Sequence, residues 1–311
     1  MKSLRVTSVA IIAVGALVLS ACGSQSGDSG DDKLNVVTST NVYADIAQTV
    51  GGDAVDVTPI IDDPSKDPHS YEATTEDQLK LSKADVVVQN GGGYDAFMTT
   101  LLEASDSKPE VVDAVSISGL PGSEGLGNEP HDHGHDHGAF NEHVWYSVPT
   151  MIKLVDEVAG TMSEKSPEHK DEFKKNADDL RGKLEDLNTK ITDTKSQNEG
   201  KKAAATEPVP LWLFEDMGLE PATPPEFLSA IEEGNDAPPL VFKKAQDQLK
   251  NKEVVILGYN TQATNDQAES LKKAAEEAGI PVVDMAETMP KGSNYADWMS
   301  GYVDEVNSAL K

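Results

Sequence analysis

From Leu34 onward, apolar runs of strand length alternate with segments whose apolar residues recur every three or four positions. The runs Leu34–Thr38, Val55–Ile61, Asp85–Gln89 and Glu110–Ser116 predict four strands, and Val86-Val87-Val88 lacks polar alternation, as a strand buried on both faces does. Between them Asn41–Val50, Thr74–Ser82 and Tyr94–Ala104 carry helical spacing, with Thr74 placed to cap its helix. Pro121 to Gly138 breaks the rhythm, being rich in Gly, His, Asp and Pro and unable to build a core. Pro149–Met162 is helical again, and Ser166-Pro167-Glu168 reads as an N-cap, a first-turn proline and a first-turn acid. Phe173, Ala177, Leu180, Leu184, Leu187 and Ile191 then form one apolar stripe, which predicts a helix reaching about Gln197. Such a helix is roughly 45 Å long, enough to span the molecule.

After Gly200 the alternation resumes, with strands at Lys202–Thr206, Glu253–Leu257 and Pro281–Met285. Helices follow at Val209–Met217, Glu226–Glu233, Phe242–Lys250, Asn265–Ala278 and Tyr295–Leu310. The expected fold class is α/β: two lobes, each a mainly parallel sheet flanked by helices, joined by one long rigid helix. The expected divisions are residues 33–165 for the first lobe, with a His-rich loop at 128–138, then 166–198 for the linking helix and 199–311 for the second lobe.

The chain has 311 residues, and its 26 Lys+Arg stand against 54 Asp+Glu, a formal net charge of -28. That surface repels phosphate backbones and anionic lipid heads, so nucleic acid is excluded as a partner and cations are favoured. Cys22 is the only cysteine, which excludes an intramolecular disulfide and a cysteine-rich zinc site. Its position is informative. Lys2 and Arg5 precede an apolar run from Val9 to Leu19, and Leu19-Ser20-Ala21-Cys22 resembles a bacterial lipobox. Residues 1–22 are therefore expected to be a lipoprotein signal peptide, with diacylglycerol attached to the Cys22 sulfur, and residues 23–32 a flexible tether. The mature protein is expected outside the cytoplasm, held to the bacterial cell membrane by that lipid.

Histidines and carboxylates carry the candidate chemistry. His131, His133, His135 and His137 alternate with Asp and Gly, a pattern that offers several loose, low-affinity metal sites on a flexible loop. His69, in Asp67-Pro68-His69-Ser70-Tyr71-Glu72, and His143, in Asn141-Glu142-His143-Val144-Trp145, sit in firmer contexts. Each alone fits a hydrogen-bonded structural histidine. As loop residues of one α/β lobe, both also fit metal ligands, because such sheets gather their sites at strand carboxyl ends. His169, in the first turn of the long helix, is expected to be merely exposed.

These segments resemble the substrate-binding lipoproteins of zinc and manganese ABC importers, the metal-binding cluster A-I solute-binding proteins. The likeness covers nearly all the mature chain and is strongest at Asp67–Glu72, at Asn90-Gly91-Gly92-Gly93-Tyr94-Asp95 and in the His-rich loop. It implies His69 as first ligand and His143 as second, although Asn141-Glu142 replaces the family's usual Asp-Pro before the second histidine. The family's third ligand maps to Glu207, in Thr206-Glu207-Pro208, where most zinc binders carry histidine and several manganese binders glutamate. The fourth maps to Glu287 in the loop after the last strand, with Asp284 as the alternative. The implied function is a receptor that captures Zn2+ in the inter-lobe cleft and delivers it to the membrane permease of an ABC importer. Mn2+ as cargo is the first alternative, and a surface metal-buffering or adhesin lipoprotein the second. No His-Glu-x-x-His helix occurs, and four protein ligands would close the site, so an enzyme is not expected.

Overall fold

A computed structural model of the chain describes residues 33–63, 65–126 and 140–311. Cys22 and His131, His133, His135 and His137 lie outside the described residues. Two four-stranded sheets, parallel throughout, organise the chain. The first contains β1 (Leu34–Thr40), β2 (Val55–Ile61), β3 (Val86–Gln89) and β4 (Glu110–Asp113) in the order β2-β1-β3-β4. The second contains β5 (Lys202–Ala205), β6 (Glu220–Pro221), β7 (Ile256–Asn260) and β8 (Val282–Met285) in the order β6-β5-β7-β8. Both sheets thus carry the same strand arrangement. Pro59 and Pro221 lie on the edge strands β2 and β6, where a missing N–H breaks no central ladder.

Alternating residues face opposite layers, as a strand period of two requires. In the first lobe Val36, Val86 and Val88 pack against α1 (Asn41–Gly51) and α5 (Val148–Lys165). Val37 and Val87 pack on the other face against α2 (Thr75–Leu81) and α3 (Ala96–Glu103). In the second lobe Ile256 and Val283 meet α7 (Leu211–Asp216) and α11 (Tyr295–Ala309). Ala204, Leu257 and Tyr259 meet α8 (Pro225–Glu232), α9 (Pro239–Lys250) and α10 (Asp266–Ala278).

The long stripe forms α6 (Lys170–Asn198), 29 residues entered through a tight turn at Pro167–His169. All six stripe residues are buried. Asn176 Nδ2 donates to the Val50 carbonyl at 3.1 Å near one end, and Lys190 pairs with Asp304 of α11 at 2.7 Å farther along. One continuous core runs through α1, α5, α6, α7 and α11, so the lobes share a packed wall. No helix among the described residues is long and apolar enough to cross a membrane.

Three expectations shift. The strand expected to reach Ser116 stops at Asp113, because its Oδ1 accepts from Ser116 N at 2.8 Å and caps the short helix α4 (Ala114–Ser118). The strand expected at Glu253–Leu257 runs three residues later, through Gly258 to Asn260. Gly258 is not a stop there: a Cβ would lie 2.9 Å from the Pro210 ring and 3.1 Å from that of Phe214, so glycine lets α7 pack against the sheet. His169 is half-buried, its ring 5.9 Å from that of Phe173 and its Nδ1 3.6 Å from Glu172.

Candidate metal site

His69, Glu207 and Glu287 follow the carboxyl ends of β2, β5 and β8, where parallel sheets expose loop residues to a crevice, and His143 enters from the segment between α4 and α5. His69 follows β2 in a loop tied down on both sides. Asp67 Oδ1 accepts from His69 N at 2.9 Å, and Tyr71 Oη donates to Asp77 of the following helix at 2.8 Å. Thr74 and Asp77 form a reciprocal capping box at the start of α2. After β3, Asn90–Asp95 turns on Gly91, Gly92 and Gly93, all at positive φ. At Gly91 a Cβ would lie 2.2 Å from an Asp113 carboxylate oxygen, so no side chain fits. The turn delivers Tyr94 beside both histidines, its ring centroid 5.0 Å from that of His69 and 5.7 Å from that of His143, and the two imidazole centroids lie 5.6 Å from each other.

His143 is fully buried. Asn141 Oδ1 accepts from both the backbone N and the ring Nδ1 of His143, at 3.1 and 2.8 Å. With Nδ1 carrying the proton, Nε2 presents its lone pair, and no hydrogen-bond partner meets that atom. Asn141 is itself held by the other lobe: its Nδ2 donates to the Pro208 carbonyl at 3.0 Å, and Trp212 Nε1 donates to its carbonyl at 2.8 Å. An amide in place of the family's aspartate therefore still orients the imidazole.

From the second lobe come Glu207 after β5, Asn260 ending β7 and Glu287 after β8. Asn260 Nδ2 donates to Glu207 Oε2 at 2.5 Å and to Glu287 Oε1 at 2.8 Å. Gln262 Oε1 accepts from Glu287 N at 2.5 Å, fixing that loop. The opposite oxygens, Glu207 Oε1 and Glu287 Oε2, are buried without a hydrogen bond. Burial, opposed by Asn260 and reinforced by the Asp67 charge, pushes the Glu287 carboxyl up to about 7. Burial and then the Glu287 charge push Glu207 well above the carboxylate range. Burial, with the charge of His69 adding to it, holds the His143 ring well below its ordinary value.

His69, His143 and Glu287 each offer a donor atom within 4.8 Å of the others. Glu207 is not part of that trio and reaches it through Asn260. Asp284 stands elsewhere: it is exposed on β8 and pairs with Lys272 at 2.9 Å. Three further side chains escaped the sequence reading. Asn260 carried no motif. Glu142 and Glu232 line the cleft beside His69, the three offering donor atoms within 4.8 Å of one another. The only signal for Glu142 was the unusual residue before His143.

Comparison with known proteins extends this picture. The manganese-binding lipoprotein MntA of Bacillus subtilis is 33% identical over 184 residues, covering 58% of this chain and 56% of that protein. The zinc-binding lipoprotein AdcA of Streptococcus pneumoniae is 28% identical over 307 residues, covering 94% of this chain and 58% of that protein. The chain thus spans little more than half the length of these two relatives. The solved periplasmic zinc binding protein TroA of Treponema pallidum shares the fold, with a TM-score of 0.73 at 18% identity over 89% of this chain and 99% of that one. The model of the zinc-uptake complex component A family, periplasmic, matches residues 36–309, and the chain belongs to that family.

Proposed function

We propose that this protein captures Zn2+ outside the cytoplasm in the cleft between its lobes and hands it to the membrane permease of an ABC importer. The carrying observation is the set of buried donors left without hydrogen bonds: His143 Nε2, Glu207 Oε1 and Glu287 Oε2, beside His69. Leaving a buried polar group unpaired costs about 1–3 kcal/mol, so several in one place favour a cation that would satisfy them together. Two neutral imidazoles and two carboxylates make a neutral set with a dication and suit tetrahedral zinc at about 2.0–2.2 Å. His69, His143, Glu207 and Glu287 are the proposed ligands, and the histidines at 131, 133, 135 and 137 an auxiliary, weaker capture loop. Four protein donors leave no open coordination position, which favours carriage over catalysis. The lipobox-like Leu19–Cys22 and the lipoprotein relatives support anchoring through Cys22.

Manganese is the second reading, and the oxygen content of the cleft favours it. Glu207 stands where most zinc binders place histidine, and carboxylates suit Mn2+ better than imidazoles do. Metal analysis of protein purified without added metal, followed by zinc–manganese competition, tests both readings. Zinc recovered at one equivalent and retained against excess manganese supports the first; retained manganese replaces it with the second. Absence of either metal, with no uptake on titration, would sink both.

A further inference from the structure

Glu142 and Glu232 stand in the cleft although every local rule disfavours them. Glu142 is 2% exposed and its Oε1 has no hydrogen-bond partner. Glu232 ends α8, where a carboxylate opposes the helix dipole; its side chain is 7% exposed and its Oε1 is likewise unpartnered. They come from different lobes, yet with His69 they offer donor atoms within 4.8 Å of one another. Burial without compensation at such a place is the signature of a site rather than of packing.

Their position relative to the proposed ligands is ordered. A cavity of about 680 Å³ opens onto Asp67, His69, Glu142, Glu232 and Gln262. His143, Glu207 and Glu287 lie behind it, each at most 1% exposed. His69 links the two groups, its Nδ1 4.0 Å from Glu142 Oε1 and its Nε2 3.8 Å from Glu287 Oε2, and Glu232 Oε1 lies 3.8 Å from the Nδ1 of the inner His143.

We propose that Glu142 and Glu232, with His69, form an outer cation position through which a divalent metal ion passes on its way to the inner donors. The inference rests on the cleft's cargo being such a cation. A neutral imidazole has one lone pair, so His69 serves the outer position through Nδ1 or the inner one through Nε2, not both together. Once the ion is inside, the His69 Nδ1–H faces Glu142, the carboxylate–histidine–metal arrangement that orients a ligand ring. An anionic pair at the mouth also raises the local cation concentration and with it the rate of capture.

The test uses the full chain with His131→Asn, His133→Asn, His135→Asn and His137→Asn, so that the loop takes no metal. Trp145, its ring 5.1 Å from that of His143, reports loading by stopped-flow fluorescence. Adding Glu142→Gln and Glu232→Gln, which keep side-chain shape, is expected to slow Zn2+ association about tenfold; an unchanged rate overturns the proposal. In a second arm His143→Ala with Glu287→Gln disables the inner donors, and folding is checked by circular dichroism. That protein is expected to retain one weakly bound Mn2+ by paramagnetic resonance, and to lose it when Glu142→Gln and Glu232→Gln are added. No Mn2+ bound before the glutamines, or Mn2+ still bound after them, overturns the outer position. Tight zinc binding that survives His143→Ala with Glu287→Gln instead refutes the inner ligands, and the loading rate then decides the outer ones.

Discussion

At Asn260 one amide nitrogen holds one oxygen of each of two buried carboxylates, Glu207 and Glu287, and the free Oε2 of Glu287 lies 3.8 Å from His69 Nε2. Removing that hold frees two like-charged side chains to rotate apart. Asn260→Ala is therefore expected to weaken zinc binding by about 10–100-fold, the usual effect of losing a group that orients metal ligands; a calorimetric titration within threefold of the parent would argue against this role. The titration behaviour belongs to the same residues. His143 is held neutral by burial, so protons compete with metal at the carboxylates, at Glu207, which burial raises well above its ordinary value, and at Glu287 with its carboxyl near 7. Zinc affinity should fall as pH drops through about 7, the carboxylates titrating as a set, and Glu287→Gln should flatten that slope. Linkage gives the sign for stability: between the ordinary 4.5 and about 7 the native state holds a proton the unfolded chain has lost. The metal-free protein should lose stability as pH rises through that window. Zinc should consequently raise Tm more at pH 8 than at pH 5 in thermal scans, and an equal rise at both would contradict the account. The proposed ligands His69, His143, Glu207 and Glu287 could be named from the sequence because their segments resemble those of the family. Asn260, Glu142 and Glu232 could not, since nothing in a sequence distinguishes a buried amide or carboxylate from a solvated one.

Local rules placed most elements and failed where a long-range contact decides. Gly258 looks like a strand end until α7 packs against it, and only then does Asn260 become the last residue of β7 inside the cleft. Asp113 is the last residue of β4, and its side chain caps α4, so the strand expected to reach Ser116 ends there. Thr74 shows the opposite case, a cap legible from sequence and present in the structure as a reciprocal box with Asp77. Burial alone would raise the Asp77 carboxyl, but hydrogen bonds from Thr74, Tyr71 and Lys80 prevail and bring it down to about 2. Thr74→Ala should cost about 1 kcal/mol in urea unfolding at neutral pH. The Asp77 contribution is present above its ordinary 3.8 and fades as pH falls toward about 2, so the difference between parent and variant should narrow over that range. A difference that stays constant would assign the cost to something other than this carboxylate. Because Tyr71 joins the same carboxylate, the cap also steadies the His69 loop.

For the whole molecule, the repeated strand order sets two crevices face to face, and α6 with the shared core holds their separation. The first lobe supplies both histidines and the second both carboxylates, so the proposed site exists only where the lobes meet. Crossing bonds reinforce this: Asn41 Nδ2 donates to the Met289 carbonyl at 2.7 Å, and Tyr295 Oη to the Trp145 carbonyl at 2.6 Å. If the proposed lipid anchor is at Cys22, Cys22→Ala should release the protein from the membrane fraction with its zinc affinity intact; continued sedimentation with membranes would refute lipid attachment there. The central claim is tested most directly by X-ray absorption at the zinc edge on the full chain loaded with one equivalent of metal. The account predicts two imidazoles and two carboxylates around the ion at about 2.0–2.2 Å, a ligand count unchanged by His131→Asn, His133→Asn, His135→Asn and His137→Asn together. A shell of three or more imidazoles, lost with those substitutions, would place the tight site on the loop and contradict the cleft.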